Sequence, residues 1–315
     1  MQKVDVIDYL MSQKAHNFDS KIDFFKFFGE APKKYKRYEI PKRTSGTRTI
    51  AQPIRELKDY QRALIDLFQE YFPIHDSSMA YVKGKDIKRN AEIHSQNIYF
   101  LKMDFTDFFS SITPKIFWKA CERAGIEFDW LEKEIIEKTF FWKPSKYSNK
   151  LVLSIGAPSS PFISNFIMFS FDCEIAQYCE EQGITYTRYA DDMTFSTNTP
   201  NLLFSMPDTV RNVLIKFYGN TIKINHLKTV FSSKKHNRHV TGITITNDDE
   251  LSIGRAKKRY IKHLVHKFIE EKISLEDLSY LRGYLGFIKY VEPIFLINLE
   301  KKYTQNVIQR IRVGN

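Results

Sequence analysis

The sequence predicts a mixed α/β chain, with helices packed on a small antiparallel sheet and a helical module at the C-terminal end. Three observations carry this. Short apolar runs of strand character alternate with segments of helical periodicity. Two such runs, 184–187 and 193–196, flank a tight turn, so they close antiparallel. From Gly254 onward the chain is basic and mostly helical. The 315 residues suffice for two compact units, since a domain takes about 150 residues. A hydrophobic fraction of 43% with 15% aromatics supplies a core and excludes a disordered chain.

Taken in order, residues 1–30 read as helix, with apolar positions Val6, Ile7, Leu10, Met11 and then Phe18, and a second helical piece follows in Ile22, Phe24, Phe25, Phe27 and Phe28. That phenylalanine stripe reads as core. Residues 38–50 read as a hairpin with Ser45-Gly46 at its turn and Ile40 and Ile50 flanking it. Pro53 opens a helix through Leu57, Tyr60, Leu64 and Leu67. Residues 98–105 are apolar nearly throughout, which predicts a central strand covered on both faces. Thr113-Pro114 starts a helix over 115–140. A polar loop follows over 143–150, and a long apolar helix over 162–180 after Pro158 and Pro161. Residues 210–217 read as helix, and 240–245 as one strand.

Lys plus Arg number 48 against 37 Asp plus Glu, a net charge of +11. The cations cluster at 33–38, 42–43, 83–89, 234–239 and 255–259, several interleaved with Tyr or Phe. That pattern fits a polyanion, with phosphates on the cations and bases on the rings. A merely solvated surface is the alternative for any single run. The three cysteines, Cys121, Cys173 and Cys179, are too few and too scattered for a disulfide framework or a zinc site. No apolar run reaches the length of a membrane span, and the first eight residues lack signal-peptide order. A reducing, cytoplasmic setting is the expectation, with no membrane partner.

The carboxylates point to chemistry. Asp104 ends an apolar strand, and Asp191-Asp192 sit in a turn between two strands. Acids in such places are costly unless paired or bound to a cation. Mg2+ takes hard oxygen ligands, and three carboxylates on adjacent strands can hold two ions about 4 Å apart for in-line phosphoryl transfer.

Tyr189-Ala190-Asp191-Asp192 resembles the catalytic box of reverse transcriptases. Residues 104–112, Asp-Phe-Thr-Asp-Phe-Phe-Ser-Ser-Ile, resemble their first aspartate motif, and Gly156-Ala157-Pro158-Ser159-Ser160-Pro161 with Ser164-Asn165 the template and nucleotide pocket motif. Each motif alone is weak, but all of them in order are specific, and the similarity runs from about residue 38 to residue 285. Asn90-Ala91-Glu92-Ile93-His94 and Val240-Thr241-Gly242 resemble two signatures of the bacterial retron branch, arguing against a diversity-generating or CRISPR-associated enzyme.

The resemblance implies a right-hand polymerase, with N-terminal helices and fingers over 1–97, a first palm strand over 98–112, a helical insertion over 113–152, palm over 153–247 and an RNA-binding thumb over 248–315. It implies that Asp104, Asp191 and Asp192 are catalytic and, with the Phe105 carbonyl, hold two Mg2+ ions. Nucleotide binding falls to Lys42, Arg43, Arg48, Phe109, Gly156 and Lys228. Phe109 would select dNTPs by lying under the sugar, with Phe108 as the alternative. RNA binding falls to Asn90, His94, Val240, Thr241, Gly242, Lys257, Lys258, Arg259 and Lys262. The implied partners are a cognate retron non-coding RNA (msr-msd), its single-stranded DNA product, dNTPs and a separate effector protein in antiphage defence. The chain departs from the family at Ile155, where a Gln usually precedes the pocket Gly. An RNA-binding scaffold without polymerase activity is the alternative from another class.

Overall fold

The structure is a computed structural model, and it describes residues 5–13, 18–41, 46–145, 147 and 149–313. In chain order the elements are α1 (Val6–Ser12), α2 (Lys21–Glu30), β1 (Tyr35–Pro41), β2 (Thr47–Pro53), α3 (Arg55–Phe68), α4 (Ile87–His94) and β3 (Tyr99–Asp104). Then come α5 (Phe108–Ser111), α6 (Pro114–Arg123), α7 (Trp130–Phe140), α8 (Ser159–Ile167), α9 (Phe169–Glu181), β4 (Thr185–Tyr189), β5 (Asp192–Thr197) and α10 (Met206–Tyr218). The rest is β6 (Val230–Ser233), β7 (Arg238–Val240), β8 (Ile243–Ile245), β9 (Leu251–Ser252), α11 (Arg255–Ile269), α12 (Leu275–Val291), α13 (Pro293–Tyr303) and α14 (Gln305–Val313). The expected class is correct: helices with small sheets, ordered β1-β2, β4-β5-β3-β6 and β7-β8-β9. No described helix is long and apolar enough to cross a membrane.

The chain packs as two compact units. The first takes the described residues of 1–82, 103–193 and 204–229, and the second those of 83–102, 194–203 and 230–315. Strands β3 and β5 each begin in one unit and end in the other.

The first unit is built on aromatics. Of the phenylalanine stripe expected in the core, Phe24 and Phe28 are buried and pack on each other, with Phe28 on Tyr60, whereas Phe27 is half-buried and Phe25 is exposed. Phe72 stacks on Phe166 at 4.0 Å, with Phe117 against both. Each buried ring contributes about 1.5–3 kcal/mol. The expected helix over 115–140 is two helices. Gly125, at φ 67°, ends α6, with Ile126 N–H donating to Cys121 O and Gly125 N–H to Glu122 O. That double bond is the glycine-dependent C-terminal motif of a helix. Asp129 and Glu132 then cap α7 reciprocally. The helix over 162–180 is likewise α8 and α9, meeting at Met168. Pro161 lies inside the first turn of α8, where an absent N–H costs nothing. Pro53 ends β2 rather than opening α3.

The second unit centres on Val240, Ile243, Ile261, Leu264, Leu281, Leu285, Ile288 and Leu299, which join the β7-β8-β9 sheet to α11–α14. Here one expectation is overturned. Residues 240–245 are a hairpin, with Val240 opposite Ile243 and a two-residue turn at Thr241 (φ 46°) and Gly242 (φ 86°). Positive φ at both turn positions matches the twist of the flanking strands. A β-branched residue there is uncommon, so the run reads as one strand in sequence.

Candidate active site

β3 delivers Asp104 and the β4–β5 turn delivers Asp191 and Asp192, all in the first unit. Backbone bonds fix both ends. Phe105 N–H donates to Asp191 O at 3.2 Å, Asn225 N–H to Asp104 O at 2.7 Å, and Thr106 N–H to Lys223 O at 2.8 Å. The turn itself needs Ala190 at φ 56°, a conformation that is uncommon for a side-chain-bearing residue.

The carboxylates are electrostatically frustrated. Asp104 is buried, and its Oδ1 has no hydrogen-bond partner. Its Oδ2 accepts from Lys228 Nζ at 2.8 Å. Partial burial, then repulsion from Asp191 and Asp104, pushes Asp192 up to about 7. Asp191 is raised by burial and by Asp104, against the opposing pull of Lys228 and Arg48. While Asp104 and Asp192 are both ionised, neither has a proton to offer the other. A proton on Asp192 or a cation between them satisfies the pair. A buried oxygen with no donor, beside two acids that resist ionising together, fits a divalent cation. Among the described residues no group of three or more His, Cys, Asp or Glu side chains is placed to hold a metal ion as it stands. With the Lys228 ammonium on Asp104, one cation already offsets part of the charge.

Around the acids, Phe108 and Phe109 divide their roles. Phe108 is buried and stacks on Phe105 at 5.2 Å, whereas Phe109 is only half-buried. Phe109 is therefore the ring available to a ligand. Arg48 is exposed on β2, opposite Ile40, and its charge reaches Asp191. Lys42 and Arg43 lie outside the described residues. Gly156 sits at φ 121°, and a Cβ there would lie 3.0 Å from Ala51 O and Ile50 Cγ2. Ile155 O accepts from Ala51 N–H at 2.9 Å. The pocket segment is thus tied to the β1–β2 hairpin through backbone, which an isoleucine serves as well as a glutamine. Lys228, expected at the nucleotide, donates to Asp104.

Residues 40–245 match the reverse transcriptase (RNA-dependent DNA polymerase) family. The chain is 49% identical over 279 residues to the retron Ec83 reverse transcriptase of Escherichia coli, covering 88% of this chain and 89% of that one. It belongs to the retron reverse transcriptases. The retron Ec73 enzyme of the same organism is 32% identical, over 88% of this chain and 89% of its own. Among solved structures, apo telomerase from Candida tropicalis matches at a TM-score of 0.50 with 14% identity. That match covers 86% of this chain but only 58% of the telomerase chain, and it supports the fold alone. This retron reverse transcriptase is an RNA-directed DNA polymerase, and its family works with divalent metal ions.

The retron signatures lie in the second unit. Asn90 and His94 are buried on α4. Asn90 Nδ2 donates to Thr241 Oγ1 at 3.5 Å, and Thr241 Oγ1 donates to Ile87 O at 3.3 Å. His94 Nδ1 lies 2.7 Å from Ser196 Oγ, and burial pushes its pKa down to about 3. Both side chains are buried, Asn90 against the hairpin tip and His94 against Ser196 of β5. Val240 is also buried, leaving Thr241 and Gly242 to face solvent. Lys257, Arg259 and Lys262 are exposed on α11, whereas Lys258 is bound to Glu292.

Sequence reasoning missed two features. Arg188 is fully buried on β4, just before the Ala190–Asp192 turn. It donates Nε to Asp172 Oδ1 at 2.8 Å and Nη1 to Ala190 O at 2.9 Å. Tyr186 adds a hydroxyl bond to Asp172 at 2.8 Å. The signal was an arginine and an aspartate inside otherwise apolar elements, where a charge needs a partner. Tyr81 is the second. It is about half exposed with φ 61°, and the desolvation of its shielded part, then Tyr189 and the Asp191 charge, raise its pKa. No periodicity marks it.

Proposed function

We propose that this retron reverse transcriptase binds a structured non-coding RNA encoded beside it, primes from the 2′-hydroxyl of an internal guanosine, and copies part of that RNA into single-stranded DNA. The product is a branched RNA–DNA molecule. The observation that carries the chemistry is the Asp104–Asp191–Asp192 cluster, with its partnerless buried oxygen and its acid raised to about 7.

In each addition, a primer hydroxyl attacks the α-phosphorus of a dNTP, one P–O bond forms, and the bond to the departing pyrophosphate breaks. Asp104, Asp191, Asp192 and the Phe105 carbonyl would hold two Mg2+ ions. Bound there, magnesium activates the attacking hydroxyl and offsets charge on the pyrophosphate. Arg48, with Lys42 and Arg43, offers cations to the triphosphate, Arg48 as a bidentate fork. Phe109 lies under the sugar and excludes a ribose hydroxyl. Gly156 lets the pocket backbone approach the β1–β2 hairpin, and Lys228 moves from Asp104 toward the nucleotide as charge is redistributed.

Thr241 and Gly242 present the hairpin tip to RNA, with Asn90 bonded to Thr241 from behind, while His94 of the same helix packs on β5. Lys257, Arg259 and Lys262 take phosphates, with Lys258 anchoring their helix. The five-segment division into fingers, palm and thumb belongs to this reading, as do a cytoplasmic setting and a separate effector protein in antiphage defence.

The test is expression with the neighbouring non-coding DNA in bacteria, followed by denaturing gels of total nucleic acid before and after RNase and debranching. A short DNA that shifts on debranching, and is missing from the Asp191→Ala, Asp192→Ala double variant, is the expected result. Linear DNA from an ordinary 3′ end would keep the polymerase and reject branch priming. RNA co-purifying without DNA would favour a scaffold.

A further inference from the structure

Asn165 of α8 is fully buried and ties together two stretches of the first unit, 77–81 and 188–191. Its Nδ2 donates to Ala80 O at 2.8 Å. Its Oδ1 accepts from Ser78 Oγ at 2.9 Å and from Arg188 Nη1 at 3.3 Å. The same Arg188 nitrogen donates to Ala190 O at 2.9 Å. The backbones are joined as well. Arg188 N–H donates to Ser77 O and Met79 N–H to Arg188 O, both at 2.8 Å, in a parallel bridge between Ser78 and Arg188. Both stretches leave that bridge in the same direction, one reaching Tyr81 and the other Asp191 after three residues.

That scaffold fixes Tyr81. Its backbone sits at φ 61°, a conformation that a bulky residue adopts only where its surroundings impose it. The bonds to Ser77, Ser78, Met79 and Ala80 impose it here. The strain does not serve the core. The side chain is about half exposed, its hydroxyl bonds to no described residue, and its ring meets no other described ring. Desolvation of its shielded part, then Tyr189 and Asp191, raise its pKa, so the hydroxyl keeps its proton and remains a donor at neutral pH.

A polymerase that copies any sequence needs a contact that every correct base pair offers. In the minor groove each pair presents acceptors, purine N3 and pyrimidine O2, whichever way round it lies. In A-form helices that groove is wide and shallow, within reach of a side chain. A mismatched end displaces those acceptors, and a donor fixed on a strained, many-bonded backbone does not follow them. We propose that Tyr81 is a specificity-determining residue, donating its hydroxyl to a minor-groove acceptor of the terminal base pair of primer and template, so that matched ends are extended in preference to mismatched ones. This deepens the polymerase reading and rests on it, with Asp191 among the reacting acids.

The experiment measures kcat and KM for single-nucleotide extension by the full chain, on DNA primers annealed to RNA templates with a matched or a mismatched 3′ end. Tyr81→Phe removes one exposed oxygen, and its thermal midpoint confirms that it is folded. It should extend matched ends about fivefold less efficiently, the worth of one hydrogen bond, and mismatched ends as wild type does. Discrimination should fall by the same factor. A terminal 3-deazapurine, which replaces N3 by carbon, is placed in the primer of one duplex and in the template of another. It should cost wild type about the same factor on at least one strand and cost Tyr81→Phe nothing. The strand that responds carries the acceptor. Unchanged discrimination in Tyr81→Phe would overturn the proposal, as would an equal fall on matched and mismatched ends. Indifference of wild type to both 3-deazapurines would also overturn it. A failure of the polymerase reading is separately visible, as no incorporation by wild type on a matched end, or as extension persisting in the Asp191→Ala, Asp192→Ala double variant.

Discussion

Asp192 is the residue whose behaviour is most directly readable from its surroundings. Its folded-state pKa of about 7 lies above its ordinary value of 3.8. The folded chain therefore binds more protons than the unfolded chain between those values, so ionising Asp192 lowers stability as pH rises through that window. In divalent-free buffer, Asp192→Asn should raise the melting temperature at pH 8, with the difference vanishing by about pH 4. Divalent ions should bind with proton release below pH 7, and primer extension at limiting metal should climb from pH 6 to 8. A flat profile would remove the carboxylate-coupling assignment. Phe109 supports a second expectation at this scale. Because Phe108 is locked on Phe105, Phe109→Ala should admit ribonucleotides, read as the ratio of rNTP to dNTP incorporation. An unchanged ratio would show that the sugar is sensed elsewhere.

At the scale of elements, the Ala190–Asp192 turn depends on what packs against it. β4 is followed by a left-handed Ala190 whose carbonyl accepts from Arg188, and Arg188 in turn is clamped by Asp172 of α9. Met79 N–H donates to Arg188 O, and Ser78 Oγ donates to Asn165 Oδ1, so the segment before Tyr81 is tied to the same network. Arg188→Ala strands a fully buried carboxylate, which costs about 3–5 kcal/mol. Denaturant unfolding should show that loss. Arg188→Lys keeps a charge on Asp172 but lacks the fork that also reaches Ala190. It should retain more stability than the alanine variant while raising the divalent concentration needed for half-maximal extension. An unchanged metal requirement would make Arg188 a folding residue only. The β7–β8 hairpin shows the same logic in the second unit, since Asn90 and Ile87 of α4 hold Thr241 at the tip.

For the whole molecule, charge sets the behaviour. A net +11 is carried by a chain whose function demands contact with RNA, DNA and nucleotides. Binding should therefore weaken linearly in log affinity against log salt, by about 0.7 per neutralised single-strand phosphate. Filter binding of RNA between 50 and 300 mM KCl reads the number of phosphates engaged. A slope near zero would mean that the exposed cations of α11 are solvated surface. The Asp191→Ala, Asp192→Ala variant should keep the wild-type slope, because acids leave the released counterions unchanged.

The sequence by itself determined the fold class and the family, and it marked Asp104, Asp191 and Asp192 as the candidate acids. Those depend on local patterns: an apolar strand ending in Asp104, a turn at Ala190-Asp191-Asp192, and motifs in a fixed order. Helix ends were less legible. Gly125 stops α6 through a backbone conformation that apolar periodicity does not register, and Thr241 turns a run of strand-formers into a hairpin because α4 holds it there. Only tertiary structure decided which of Phe108 and Phe109 is buried, that Lys228 rests on Asp104, and that Asn90 and His94 face inward. The same holds for Arg188, Asp172 and the Asn165–Ala80 contact, each joining residues that are distant in sequence or on different elements. Spacing along a chain records which side chains share one helix or strand face. Burial, pairing and repulsion depend on what packs against that face, and folding alone supplies it.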